Sequence, residues 1–193
     1  MMEPSVDWAI QALDCLDSDQ ALTPANRLQL ACRYKIERWI LPAVSRLIDR
    51  QESRKRLRLI TNDDIDQIGW RTYVIISKAV ETVQAARTAV AITPPTVYHS
   101  PPCRLHQKEQ DCNRAWAHFW HTTVLRVLLA ADNPMSLACI PTFLQQENIK
   151  DFQESCKALT LFHFKSTDVL KVEASVKEQV STKVWELYQM GLM

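Results

Sequence analysis

Two glycines in 193 residues, Gly69 and Gly191, constrain this chain more than any motif it carries. Two-residue hairpin turns need positive φ at their central positions and draw on glycine, so a sheet could not be turned repeatedly here. Helix interiors need no such residue, and the expectation is an all-α fold. The stretch LQLACRYKIERWILPAVSRLI, residues 28–48, is its densest apolar part. There Leu28, Leu30, Ala31, Tyr34 and Ile36 give way within a few residues to Trp39, Ile40, Leu41, Ala43, Val44, Leu47 and Ile48. Two apolar helical segments therefore meet without a long linker, and a chain that is 47% hydrophobic can bury a core without staples.

Charge narrows the range of partners. Lys and Arg number 23 against 22 Asp and Glu, a formal net charge of +1, so no global field draws the protein to nucleic acid or to an anionic membrane. No apolar run approaches the roughly 20 residues that cross a bilayer, and MMEPSVDWAI lacks a basic region followed by an apolar one. An intracellular protein, cytoplasmic or nuclear, is expected. The six cysteines are scattered through helical-looking segments and read as reduced thiols, with Cys32 and Cys139 acting as small hydrophobes.

Along the chain, Val6, Ala9, Ile10, Leu13 and Leu16 predict a helix over 5–17. Thr23-Pro24 opens a second over 24–33, and a third carries Trp39 to Arg50 with Pro42 in its first turn. Thr61 or Asn62 caps a short helix that Gly69 stops. From Trp70 to Ile92 the face Trp70, Tyr73, Ile76, Val80, Val83 and Val90 predicts a long helix. Trp116, Phe119, Trp120, Thr123, Val127 and Leu128 mark the apolar side of 111–130. Asn133 and Pro134 are expected to open the next helix, with Pro141 kinking or dividing it. Ile149, Phe152, Cys156 and Leu159 predict another, and a valine stripe from Val169 to Val184 predicts the last, over 167–190. Eight to ten helices result. They form an irregular array of two packed subdomains, 1–92 and 105–193, joined by the proline-rich segment 93–104.

The order LACRYKIERWILPAVSRLIDR, LITNDDIDQIG and a long helix ending in PPTVY resembles the helical region that follows the BTB/POZ domain in fungal, basidiomycete-type BTB proteins. The likeness covers residues 22 to about 95, and CNRAWAHFW is similar to the cysteine and paired tryptophans that recur later in that group. It rests on Leu30, Ala31, Tyr34, Trp39, Pro42, Ala43, Leu47 and Gly69, all packing or turn positions. The resemblance implies a non-enzymatic protein–protein interaction module, adaptor-like, with a protein as its partner. The stretch before Leu22 is too short for a BTB fold, so BTB-mediated dimerisation and cullin binding do not carry over.

Chemistry is sparse. Isolated glycines exclude the common phosphate-cradling loops, and HExxH, CxxC and GxSxG are absent. Four of the five histidines and two cysteines fall between residues 99 and 121. Within that stretch Cys103, His106, His118 and His121 have spacings that can close a tetrahedral zinc site, which defines the alternative of a small zinc-binding protein. Cys112 points away from His121 on a shared helix and is set aside. A cysteine nucleophile would need an orienting group and an oxyanion donor that the pattern does not supply. Otherwise the protein needs no cofactor. The basic run Arg50, Arg54, Lys55, Arg56 and Arg58 reads as a solvated face neutralised by Asp63, Asp64 and Asp66.

Overall fold

A computed structural model describes residues 22–52, 60–105 and 108–192, together with Trp8, Ala12 and Leu13. Among these the fold is all-α, with no strand. The helices are α1 (Pro24–Tyr34), α2 (Ile40–Glu52), α3 (Asn62–Ile68), α4 (Trp70–Ile92), α5 (Pro101–Leu105) and α6. The last of these runs from Glu109–Phe119 through a π-helical Trp120–Val124 into Leu125–Leu128. Then come α7 (Ile140–Gln146), α8 (Glu154–Lys165) and α9 (Val172–Gln189). Most of the helix expected over 5–17, and the basic run from Arg54 to Arg58, lie outside the described residues.

Local chemistry sets the helix ends. Thr23 Oγ1 accepts the Asn26 N–H at 3.1 Å and Pro24 begins α1. Lys35 ends that helix in the left-handed region at φ 56, and its N–H reaches Ala31 and Cys32 carbonyls. Thr61 and Asp64 form a reciprocal capping box at the start of α3, which buries Asp64. Gly69, at φ 80 and ψ 147, turns α3 directly into α4 through backbone space that side chains rarely enter.

Two apolar cores result. The first gathers Leu28, Trp39, Val44, Leu47, Ile48 and Ile76, with Val184 of α9. The second gathers Trp116, Trp120, Leu128, Ile140, Leu144 and Phe164. The long helix α4 serves both: Ile76, Ala79 and Val80 face the first and Val90 and Ala91 the second. The last helix also crosses back, since Val180 and Val184 lie in the first core although they follow residue 105. The proline-rich segment is a strap with no regular structure over 93–100. It becomes helix at Pro101 and Pro102, where the first turn has no use for the missing N–H groups.

Several expectations are corrected. The helix awaited at Pro134 begins at Ile140, with Pro141 in its first turn, because Glu173 takes the Ser136 hydroxyl and the Leu137 N–H and holds Ser136 extended. Residues 149–153 are not helical. Asp151 sits at φ 62, and α8 starts at Glu154 with Thr160 and Leu161 inward and Leu159 exposed. Trp70, expected on the apolar face of α4, is 65% exposed, and Cys139, expected to act as a small hydrophobe, is exposed.

In α6 the buried positions are Cys112, Trp116, Trp120, Val124 and Leu128, each four residues from the last. Four residues advance an α-helix by about 400°, so such a row drifts about 40° per step. The wider π segment at Trp120–Val124 takes up that drift and keeps the row facing the core. Phe119, Thr123 and Val127, expected on the same face, are only half-buried beside it.

Candidate metal centre

The strap is held by bonds that begin in the sequence itself. Trp116 Nε1 donates to the Pro95 carbonyl at 2.9 Å, and Trp120 Nε1 donates to Val90 O at 3.0 Å, satisfying a carbonyl at the end of α4. Tyr98 N donates to Thr160 Oγ1 at 3.0 Å, which fastens the strap to α8. These contacts bring residues 98–105 over the junction of α6 and α8.

There His99, Cys103, Cys112 and Cys156 converge, with one ligand atom from each lying within 4.8 Å of all the others. His99 comes from the strap, Cys103 from α5, Cys112 from the first turn of α6 and Cys156 from the first turn of α8. All three thiols are buried, and the imidazole is half-buried. Cys103 Sγ is 3.5 Å from His99 Nδ1 and donates to Cys112 Sγ at 3.6 Å. Ser100 closes the group from behind: its N–H donates to Cys156 Sγ at 3.3 Å, and its hydroxyl lies 3.4 Å from that sulfur and 2.8 Å from Ser155 Oγ.

The thiols are not electrostatically equivalent. Burial, reinforced by the neighbouring Cys112 and Cys156 sulfurs, pushes Cys103 up to about 12. Burial also acts upward on Cys156, yet the two Ser100 hydrogen bonds, helped by Cys103 and Cys112, outweigh it and leave that thiol below the ordinary range. Cys32, in the first core, is pushed up to about 11 by burial and is an inert packing thiol.

Of the four ligands proposed from spacing, Cys103 belongs to this group and His106 lies outside the described residues. His118 and His121 do not join it. Both are exposed on α6, where His121 Nε2 sits 3.5 Å from Ile92 O. The reason is helix geometry: Cys112 starts the buried row of α6, and His118 and His121 lie off that row. Cys112, set aside on the sequence, is in the group, and His121 is not. Cys156 was missed because nothing near it in sequence marks it. His99 and Cys103, at i and i+4 beside a helix start, were the available signal.

Comparison with protein-family models, with curated proteins and with solved structures returned no match for this chain.

Proposed function

We propose that the chain is a non-enzymatic protein-interaction module, adaptor-like in the manner of the helical regions that follow fungal BTB/POZ domains. One observation carries this reading. A groove of about 530 Å³ opens between the strap and α8, and no Asp, Glu, Lys or Arg lines it. Pro94, Pro95, Phe164 and Val169 are among its walls, together with Tyr98 stacked on His163 at 3.7 Å between ring centroids. Ile92 and Phe162 flank it in the chain and are 59% and 72% exposed. A charge brought into such a lining would lose water without gaining a counter-ion, so the fitting partner is a protein segment offering apolar or aromatic side chains. The larger cleft between α6 and the 148–153 turn carries Lys108, Arg114, Lys150, Asp111 and Asp151 and suits water better.

The test uses the Ile92→Glu/Phe162→Glu double variant, whose positions are exposed. Immobilised parent and variant are exposed to the same native extract, and bound proteins are quantified by mass spectrometry. A species enriched on the parent and depleted on the variant supports the reading. Equal recovery on both, or no enrichment on the parent, ends it.

A second reading, that of a small zinc-binding protein, is favoured by the convergence of His99, Cys103, Cys112 and Cys156. Its ligand set differs from Cys103, His106, His118 and His121. The two readings are compatible, because a metal can hold the strap that walls the groove.

A further inference from the structure

Buried cysteines are ordinarily small hydrophobes, and three of them close together could be no more than packing. The geometry here asks for more. Zinc–sulfur bonds of about 2.3 Å and a zinc–nitrogen bond of about 2.0 Å, at tetrahedral angles, give sulfur–sulfur edges of about 3.8 Å and sulfur–nitrogen edges of about 3.5 Å. Cys103 Sγ stands 3.6 Å from Cys112 Sγ and 3.5 Å from His99 Nδ1. Two edges of that polyhedron are thus already in place, and the fourth donor lies within the same 4.8 Å limit. Hydrophobic packing gives no reason for an imidazole nitrogen to face the thiols. Nor does it account for a serine that turns both its N–H and its hydroxyl on Cys156 Sγ.

We propose that His99 Nδ1 and the sulfurs of Cys103, Cys112 and Cys156 bind a single Zn²⁺ ion in a closed tetrahedral site. Three thiolates and an imidazole form a soft donor set that suits zinc, and binding would release three thiol protons to solvent. The product, three thiolates on a dication, carries one net negative charge, and the Ser100 donors on Cys156 offset it as outer-sphere partners do. With all four positions filled by protein there is no open place for a water or substrate, so the role is structural. The ion would weld the strap and α5 to α6 and α8, and so fix the wall of the groove whether or not the proposed partner is correct.

The experiment measures metal in the purified full chain, expressed with zinc and handled under reducing conditions. About one zinc per chain is expected, retained in His118→Ala and in His121→Ala and lost in Cys112→Ser and in Cys156→Ser. Because ligand variants can fail to fold, Co²⁺ is also titrated into the chelator-stripped parent. A tetrahedral cobalt spectrum with a thiolate-to-cobalt charge-transfer band, displaced by Zn²⁺, supports the site. A parent with neither stoichiometric zinc nor that spectrum overturns it. So does full metal retention in a Cys103→Ser/Cys112→Ser/Cys156→Ser variant, or a Cys103–Cys112 disulfide found by mass spectrometry in a metal-free parent. Loss of partner capture alone would bear on the groove, and loss of metal alone on the site.

Discussion

Arg87 Nε donates to Glu173 Oε1 across 2.6 Å, joining the last two turns of α4 to the first turn of α9 where both side chains are almost wholly buried. The same carboxylate accepts the Ser136 hydroxyl and, at 3.1 Å, the Leu137 N–H. One side chain thus ties three separate parts of the chain at the seam between the cores. Removing one member of such a pair leaves the other charged and dry, which costs about 3–5 kcal/mol. Glu173→Ala is therefore expected to lose about that much in urea denaturation, and Arg87→Met/Glu173→Leu is expected to recover part of it. Equal stability of Glu173→Ala and the parent would remove the pair from the account of the fold.

Acid should act through the same carboxylate. Burial alone would raise its pKa, but the hydrogen bonds from Arg87, Ser136 and Leu137, with the Arg87 charge, hold it below the usual carboxylate range. A group depressed in the folded state stabilises above its unfolded pKa, about 4.3 for Glu, and that contribution fades as pH falls through the folded value. The stability gap between parent and Glu173→Gln is expected to be widest near neutrality and to close below about pH 4. Denaturant midpoints measured across that range check the sign.

Trp120 both fills the second core and caps α4 through Val90 O. Trp120→Phe should cost about 1–3 kcal/mol from the orphaned carbonyl and smaller ring, and Trp120→Ala about 3–5 kcal/mol from the cavity. Thermal unfolding followed by circular dichroism would rank the two. Indistinguishable variants would mean that the indole N–H contributes nothing.

Lys157 is buried, and its ammonium donates to Glu147 O at 2.7 Å and Gln145 O at 3.3 Å, at the carbonyl end of α7. A cation there meets both the unpaired carbonyls and the negative end of the helix dipole. Lys157→Met keeps the stem and removes the donors, so a loss of about 1–3 kcal/mol is expected. Guanidinium melts of the two proteins test it, and an unchanged midpoint would contradict the capping role.

Thr61→Ala opens the capping box in which Thr61 and Asp64 serve each other. A loss of about 1 kcal/mol is expected. Thr61→Ser, which keeps the hydroxyl, should recover most of it in the same denaturation assay.

The residues of α4 announced their own limits. Gly69 before Trp70 and the prolines after Thr93 stop a helix whatever surrounds it, and the observed span is Trp70–Ile92. Thr23-Pro24 and Thr61 were legible for the same reason, since a cap is satisfied within three residues of itself. Pro134 and Pro141 were not separable in this way, because both suit a first turn. Glu173, distant in the chain, decided between them. The His/Cys concentration was visible, but its geometry was not, since a metal-ligand set depends on which helix faces meet.

The amino-acid order alone decided that this chain is helical, where most helices start and stop, and that histidines and cysteines concentrate between residues 99 and 121. Those are matters of backbone sterics, capping and apolar period, and all act within a turn or two. Only the tertiary structure decided that α9 folds back into the first core, that Arg87 meets Glu173, and that Cys156 joins His99, Cys103 and Cys112. Each of those depends on packing between helices distant in sequence, where close-packing selects one arrangement from several that local periodicity permits equally.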